Sequence, residues 1–350
     1  EKNCVMVFTN EASEIYYLKR NIFMSVKHFH HMALIVPDIP VQKTFYEDFG
    51  LIGEEKNNQA IMRCIGRDQD QIILTEGPER KLHHVSYGSD LNGIASIENN
   101  IDKSELATQI DSPKETPYDG IWFKDFEGDV YNVNTSESAP SKGGRQPTIN
   151  HEAFQANGPG HYDRVNQKGS IAYDTQPEPH RLGHMVEFTT DLEKKITFYT
   201  DVMGLKLTDT SEGLIAFLRP PGGGDHHTVA ILQSDNTGFH HASFEVDSID
   251  HVGLGGQGML EKGYRNGWGL GRHALGSNFF WYIRDPHDGL CEYFADIDYI
   301  SDDEAWTPRD WPLDVGFYLW GPNPPEEFGM NYEGTKKTTK PKATGKGARV

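Results

Sequence analysis

Short apolar runs and one recurring amphipathic stretch dominate the pattern of this chain. After His184 comes Met185-Val186-Glu187-Phe188, an apolar run with a β-branched residue that reads as a strand. The period then changes between Asp191 and Tyr199, where Leu192, Ile196 and Tyr199 share one face of a helix. Gly204 suits the end of that helix. Further strands are predicted at Leu214–Leu218 and Thr228–Leu232. The unit is a strand, a helix, then several strands.

The same pattern occurs earlier in the chain. Residues 31–51 read HMALIVPDIPVQKTFYEDFGL and residues 184–205 read HMVEFTTDLEKKITFYTDVMGL, with an offset of 153 residues from His31 to His184. Two further pairs follow in order. Leu82-His83-His84-Val85-Ser86-Tyr87 resembles Phe239-His240-His241-Ala242-Ser243-Phe244, and Trp122-Phe123-Lys124-Asp125 with Gly128 resembles Tyr282-Ile283-Arg284-Asp285 with Gly289. Three ordered matches imply two homologous domains. The expected fold is α+β, each domain built from two paired βαβββ modules with mostly antiparallel strands. The expected division is a leader or appendage at 1–23, an N-terminal domain at 24–140, a linker or irregular excursion at 141–179 and a second domain at 180–310. A C-terminal extension occupies 311–350 and ends in a basic, disordered tail with Lys336, Lys337, Lys340, Lys342, Lys346 and Arg349.

Composition narrows the class of function. Hydrophobic residues are 36% and charged residues 24%, as in globular proteins, and no apolar run approaches the roughly 18 residues of a membrane span. A cytoplasmic protein is expected. The formal charge of −19 disfavours nucleic acid as a partner. Cys4, Cys64 and Cys291 are too few and too far apart for a disulfide framework or a cysteine zinc cluster. Sixteen histidines make the positions of imidazoles the next question.

In the second domain His184, His241 and Glu292 each fall in a strand-like run. Two neutral imidazoles and one carboxylate are what a mononuclear non-haem iron site wants, with other positions left open. A lone strand histidine is usually only a hydrogen-bonder, and a lone glutamate usually a solvated one. Here the combination weighs more, because Glu292 lies in Cys-Glu-Tyr-Phe, where an unpaired buried carboxylate is costly. The first domain offers His31 and His84, but Tyr131 stands three residues after Gly128 where Glu292 stands three after Gly289, so it is expected to hold no metal. His240 and His241 should face opposite sides of a strand, leaving one to face the ion, and His226-His227 poses the same choice.

At these residues the chain resembles the type I extradiol ring-cleavage dioxygenases of the vicinal oxygen chelate superfamily. The signature is carried by Gly271-Arg272-His273, the run from Phe279 to Pro286 containing Tyr282, then Gly289 and Glu292. It departs at Trp281 and in the two residues between Pro286 and Gly289. The resemblance spans about residues 27–300. It implies that His184, His241 and Glu292 hold Fe(II), with Mn(II) suited to the same ligands. It implies that His227 handles protons, with His226 its rival, and that His273 and Tyr282 line the substrate. The implied substrates are a catechol and O2, the product a hydroxymuconic semialdehyde, and the assembly a homo-oligomer, a tetramer favoured. A carboxylated catechol would want an arginine, for which Arg265 and Arg272 are nearest in sequence. Alternatives are a glyoxalase-like lyase or epimerase, which typically adds a fourth protein ligand, and a non-catalytic ligand-binding protein.

Overall fold

A computed structural model describes residues 25–137 apart from 115 and 117, residues 165–166, and residues 177–333. The leader, most of the 141–179 segment and the tail beyond Glu333 lie outside the described residues.

The first half of the chain forms β1 (His28–Val36), β2 (Leu51–Lys56), β3 (Gln59–Cys64), β4 (Ile72–Glu76), β5 (Lys81–Ser89), β6 (Ala107–Gln109), β7 (Ile121–Asp125) and β8 (Val130–Thr135). Helices Ile39–Asp48 and Leu91–Lys103 follow β1 and β5. Both start at an aspartate: Asp38 accepts from Val41 N at 2.9 Å and Asp90 from Gly93 N at 2.8 Å, satisfying amides the first turn leaves bare. The strand order is β2-β3-β4-β1-β5-β8-β7-β6. Each helix carries the chain across so that β1 pairs parallel with β4, and β5 with β8, while the other pairings are antiparallel.

The second half repeats this. Its strands are β9 (Arg181–Thr189), β10 (Lys206–Ser211), β11 (Ile215–Arg219), β13 (Val229–Gln233), β14 (Gly238–Glu245), β15 (Arg265–Arg272), β16 (Phe279–Arg284) and β17 (Leu290–Ala295), in the order β10-β11-β13-β9-β14-β17-β16-β15. A small ribbon pairs β12 (Gly224–Asp225) with β18 (Tyr299–Ile300). The four strand-helix-strand modules expected from the duplication are present as two α+β sheets. The predicted strands at 214–218 and 228–232 each lie one residue further on. The predicted helix begins where Asp191 caps Lys194 N and runs over Leu192–Thr197, but then widens into a π-helical turn at Phe198–Val202 before Gly204 at φ +75°. That turn buries Phe198, Tyr199 and Val202.

The two sheets share one hydrophobic core. Phe49 stacks on Tyr293 with ring centroids 3.6 Å apart, and Tyr293 donates to the Phe49 carbonyl at 2.7 Å. Arg80 pairs with Asp285 at 2.8 Å, and Lys195 reaches back to Asp125 and Asp129 at 2.5 and 2.8 Å. The C-terminal segment folds over the second sheet, and Arg272 N donates to the Trp320 carbonyl at 2.8 Å. No helix among the described residues is long and apolar enough to cross a membrane.

Strand register corrects one detail of the internal comparison. Ser86 pairs with Asn132 in the first sheet as Ser243 pairs with Glu292 in the second. The position matching Glu292 is therefore Asn132, and Tyr131 matches Cys291. Counting from glycine misleads because the two turns have equal length but place glycine differently. The residue at positive φ is Gly128 in one turn and Asp288 in the other. The amides of Gly128 and Asp288 make the same bond, to Asp125 O and Asp285 O. The first sheet still lacks the third carboxylate.

Candidate metal centre

Register puts the candidate ligands in one row across neighbouring strands. His184 on β9 pairs with Ser243 on β14, Ser243 with Glu292 on β17, and Glu292 with Tyr282 on β16. Residues paired across a sheet face the same side, and His241, two before Ser243, faces it too. Four strands thus aim His184, His241, Glu292 and Tyr282 into one space. The Nε2 atoms of His184 and His241 lie 3.1 and 3.3 Å from the same oxygen, Oε2 of Glu292. Ser243 Oγ donates to that oxygen at 2.5 Å, and Asn278 Nδ2 to Oε1 at 3.4 Å.

Burial makes this cluster costly unless something compensates it. Glu292 is 0% exposed, His184 2% and His241 4%. Burial opposes charge on Glu292, but His184 and His241 beside it outweigh burial and hold the carboxyl well below its usual range. The group is a carboxylate at neutral pH, as a metal ligand must be. His241 Nε2 has no hydrogen-bond partner although it faces the carboxylate. One donor atom from each of the three residues lies within 4.8 Å of the others. Ligand bonds of roughly 2.1 Å at right angles would set donors about 3 Å apart, so the residues fit one divalent ion. Asp125, Glu127 and Asp129 form the other such group among the described residues, but the Lys195 ammonium already sits among them.

The histidine pairs do not obey simple strand alternation. His240 is the extra residue of a bulge between Phe239 and His241, so its ring contacts that of His241, Nδ1 to Nδ1 at 2.6 Å, and does not face away. His226 and His227 lie in the connection between β12 and β13. His226 Nε2 is 2.9 Å from Asp209 Oδ2, whereas the His227 ring centroid is 4.4 Å from that of His184. Burial, then His184, pushes His227 well below its ordinary value, so it is neutral near pH 7.

His273 and Tyr282 complete the wall. His273 Nε2 is 2.9 Å from the Tyr282 hydroxyl, and its Nδ1 is 2.9 Å from the Phe317 carbonyl. Burial pushes His273 down to about 4 and, with Glu292, holds the Tyr282 phenol well above its ordinary value. Tyr282 is therefore a donor and His273 an uncharged partner. Trp268, Phe280 and Phe328 pack around Tyr282. The sequence reading missed Ser243, Asn278, Asp209, Phe317 and Phe328. Ser243 could have been found from the His184 row; the others come from distant segments with no local pattern. Arg265 pairs with Asp288 at the surface, and Arg272 donates to Ser277 O while lying over Phe279, so neither clamps this site.

In the first sheet His31 and His84 face each other directly, Nε2 to Nε2 at 3.1 Å, with the Tyr118 ring 4.2 Å from His31 and the Trp122 ring 4.9 Å from His84. Asn132 has other partners, donating to the carbonyls of Asp119 and Ile121.

Known proteins share the sequence and fold of this chain. Residues 181–291 match the model of the Glyoxalase/Bleomycin resistance protein/Dioxygenase superfamily. The chain is 34% identical over 316 residues to metapyrocatechase 2 of Cupriavidus necator, covering 88% of this chain and 93% of that protein. It is 31% identical over 153 residues to an iron-dependent extradiol dioxygenase of Rhodococcus jostii (strain RHA1), covering 40% of this chain and 50% of that one. Its fold is similar to that of the Mn(II)-bound glyoxalase from Novosphingobium aromaticivorans, with a TM-score of 0.68 at 21% identity over 85% of this chain and 91% of that one.

Proposed function

This chain belongs to the extradiol ring-cleavage dioxygenases of the vicinal oxygen chelate superfamily, and from that premise we propose how its residues divide the reaction. The enzyme opens a catechol ring beside its hydroxyls, and both atoms of O2 enter a hydroxymuconic semialdehyde-type product. The observation that carries the assignment is the convergence of His184, His241 and Glu292 on one point. These three would hold Fe(II), with Mn(II) the other ion suited to the same donors. The bound ion would supply Lewis acidity toward the catechol oxygens and a path for electrons from ring to O2.

The remaining steps belong to protein groups. Neutral His227, against His184, accepts a catechol hydroxyl proton and later returns one. Tyr282, protonated and in this structure directed at His273 Nε2, would turn its one hydrogen to a ring oxygen as charge grows there. Trp268, Phe280 and Phe328 keep the space around Tyr282 apolar and exclude water. A glyoxalase-like lyase would be served by a fourth protein ligand, and the described residues offer three in this cluster.

The test is anaerobic loading with Fe(II) followed by a panel of catechols. One O2 should be consumed per catechol, with a yellow ring-opened product. Bound metal with no O2 uptake on any catechol would defeat the proposal. His227→Ala should keep its metal while turnover falls about 100- to 10,000-fold, the usual cost of losing a general acid/base. Normal turnover in that variant would remove His227 from the proton path. We also propose a cytoplasmic homo-oligomer, tetramer favoured, which light scattering of the active protein would check.

A further inference from the structure

We propose that His240, a residue outside the metal triad, sets the proton on its neighbour His241 and so makes His241 a metal ligand. This rests on the triad proposed above. The chain of contacts starts in the C-terminal segment. His240 Nε2 lies 2.7 Å from the carbonyl oxygen of Phe328. A carbonyl only accepts, so Nε2 of His240 carries a hydrogen and donates it.

His240 is 5% exposed and wedged between the rings of Phe188 and Phe328, with centroids 5.3 and 4.9 Å away. An imidazolium there would be a buried charge with no carboxylate in contact, so the ring is neutral. With its one hydrogen on Nε2, its Nδ1 is an acceptor. The donor to it is His241 Nδ1, 2.6 Å away. His241 then has no hydrogen on Nε2, which carries a lone pair and lies 3.3 Å from Glu292 Oε2. Two electron-rich atoms at that separation repel unless a cation lies between them.

The duplicated half supplies the contrast. His83 and His84 repeat the contact, Nδ1 to Nδ1 at 2.7 Å. No carbonyl partner for His83 Nε2 is found among the described residues, and His84 Nε2 meets another imidazole in place of a carboxylate. The bulge that seats His240 thus lets residue 328 of the chain select the tautomer of a ligand on β14. His240 is a positioning residue: it would touch neither metal nor substrate.

The experiment compares His240→Phe with His240→Asn in the full chain, titrated with Mn(II) alone and read by the spin-resonance signal of the free ion. Phe keeps the ring and loses the acceptor. The Asn amide oxygen sits near the place of Nδ1 and keeps it. His240→Phe should bind Mn(II) about 10- to 100-fold more weakly, the usual cost of losing a partner behind a ligand. His240→Asn should stay within about threefold of wild type. Independently, nitrogen-15 spectra of histidine-labelled wild-type protein should show His241 protonated at Nδ1 and His240 at Nε2. Wild-type affinity in a folded His240→Phe, equal weakening in both variants, or a hydrogen on His241 Nε2 would each overturn the relay. If His240→Phe does not fold, the spectra decide alone. Failure of the wild type itself to bind Mn(II) would instead defeat the triad.

Discussion

Glu292→Ala should bring the metal content from about one ion per chain to near zero, and O2-dependent turnover should fall at least about 100-fold. The reason is charge as well as donor count. Glu292 is the anion between His184 and His241, and Ser243 and Asn278, which also reach its carboxylate, are neutral. Without it, two neutral imidazoles face a divalent ion in a buried site, and a bare dication is costly there. Glu292→Gln is the sharper variant. It keeps the volume but removes the negative charge and one acceptor oxygen, so it should lose nearly as much metal as Ala. Atomic absorption after anaerobic Fe(II) loading reads the content directly. Tyr131→Phe should keep its metal, since the Tyr131 hydroxyl is spent on Glu187, at 3.2 Å on β9. A Glu292→Gln protein holding one ion per chain would mean that the carboxylate is not a ligand.

Much of this site was legible because the fold is made twice. Histidines at matching places in two copies, followed by the same Phe-Tyr and Gly-Leu spacing, identify strands without any knowledge of their partners. The row of His184, Ser243, Glu292 and Tyr282 then follows from alternation on strands. What failed did so at backbone irregularities. Glycine was taken as the fixed point of the β7–β8 and β16–β17 turns, yet the constant feature is the aspartate that opens them. Asp125 Oδ1 accepts from the amides of Glu127 and Asp129, and Asp285 Oδ1 from those of His287 and Gly289. Counting seven residues from each aspartate reaches Asn132 and Glu292. Likewise, opposite faces for His240 and His241 assumed an unbroken strand, and the bulge there keeps the two rings in contact. Phe317 and Phe328 carry no local signal, because their carbonyls meet the site only after a long excursion of the chain.

Lys195 is the other residue no sequence pattern marks, and Lys195→Met should destabilise the protein by about 3–5 kcal/mol at pH 8, the usual cost of breaking a buried ion pair from one side. Its ammonium is 0% exposed and joins the two halves, 2.5 Å from Asp125, 2.8 Å from Asp129, 3.5 Å from Glu187 and 3.7 Å from Glu127. Burial alone would drive a lysine to neutrality, but Glu187, Asp129 and Asp125 outweigh it and hold the ammonium charged. One cation cannot neutralise four carboxylates. The two aspartates lie nearest to it, and burial, against the pull of Lys195, pushes Glu187 up to about 7. Tyr199 donates to Glu187 at 2.7 Å. The sign of the pH dependence follows. A carboxyl raised in the folded state contributes stability below its unfolded value, near 4.5, and that contribution is lost as pH rises through its folded value. Removing Lys195 raises Glu187 further, so the penalty should be largest at pH 8 and shrink toward pH 5 as protons replace the ammonium. Calcium should restore part of the loss, because oxygens of Asp125, Glu127 and Asp129 lie within 4.8 Å of one another. Urea unfolding of both proteins at pH 5, 6.5 and 8, with and without calcium, measures all three effects. A penalty under about 1 kcal/mol and flat with pH would show the cluster to be solvated and the ion pair no stronger than a surface one.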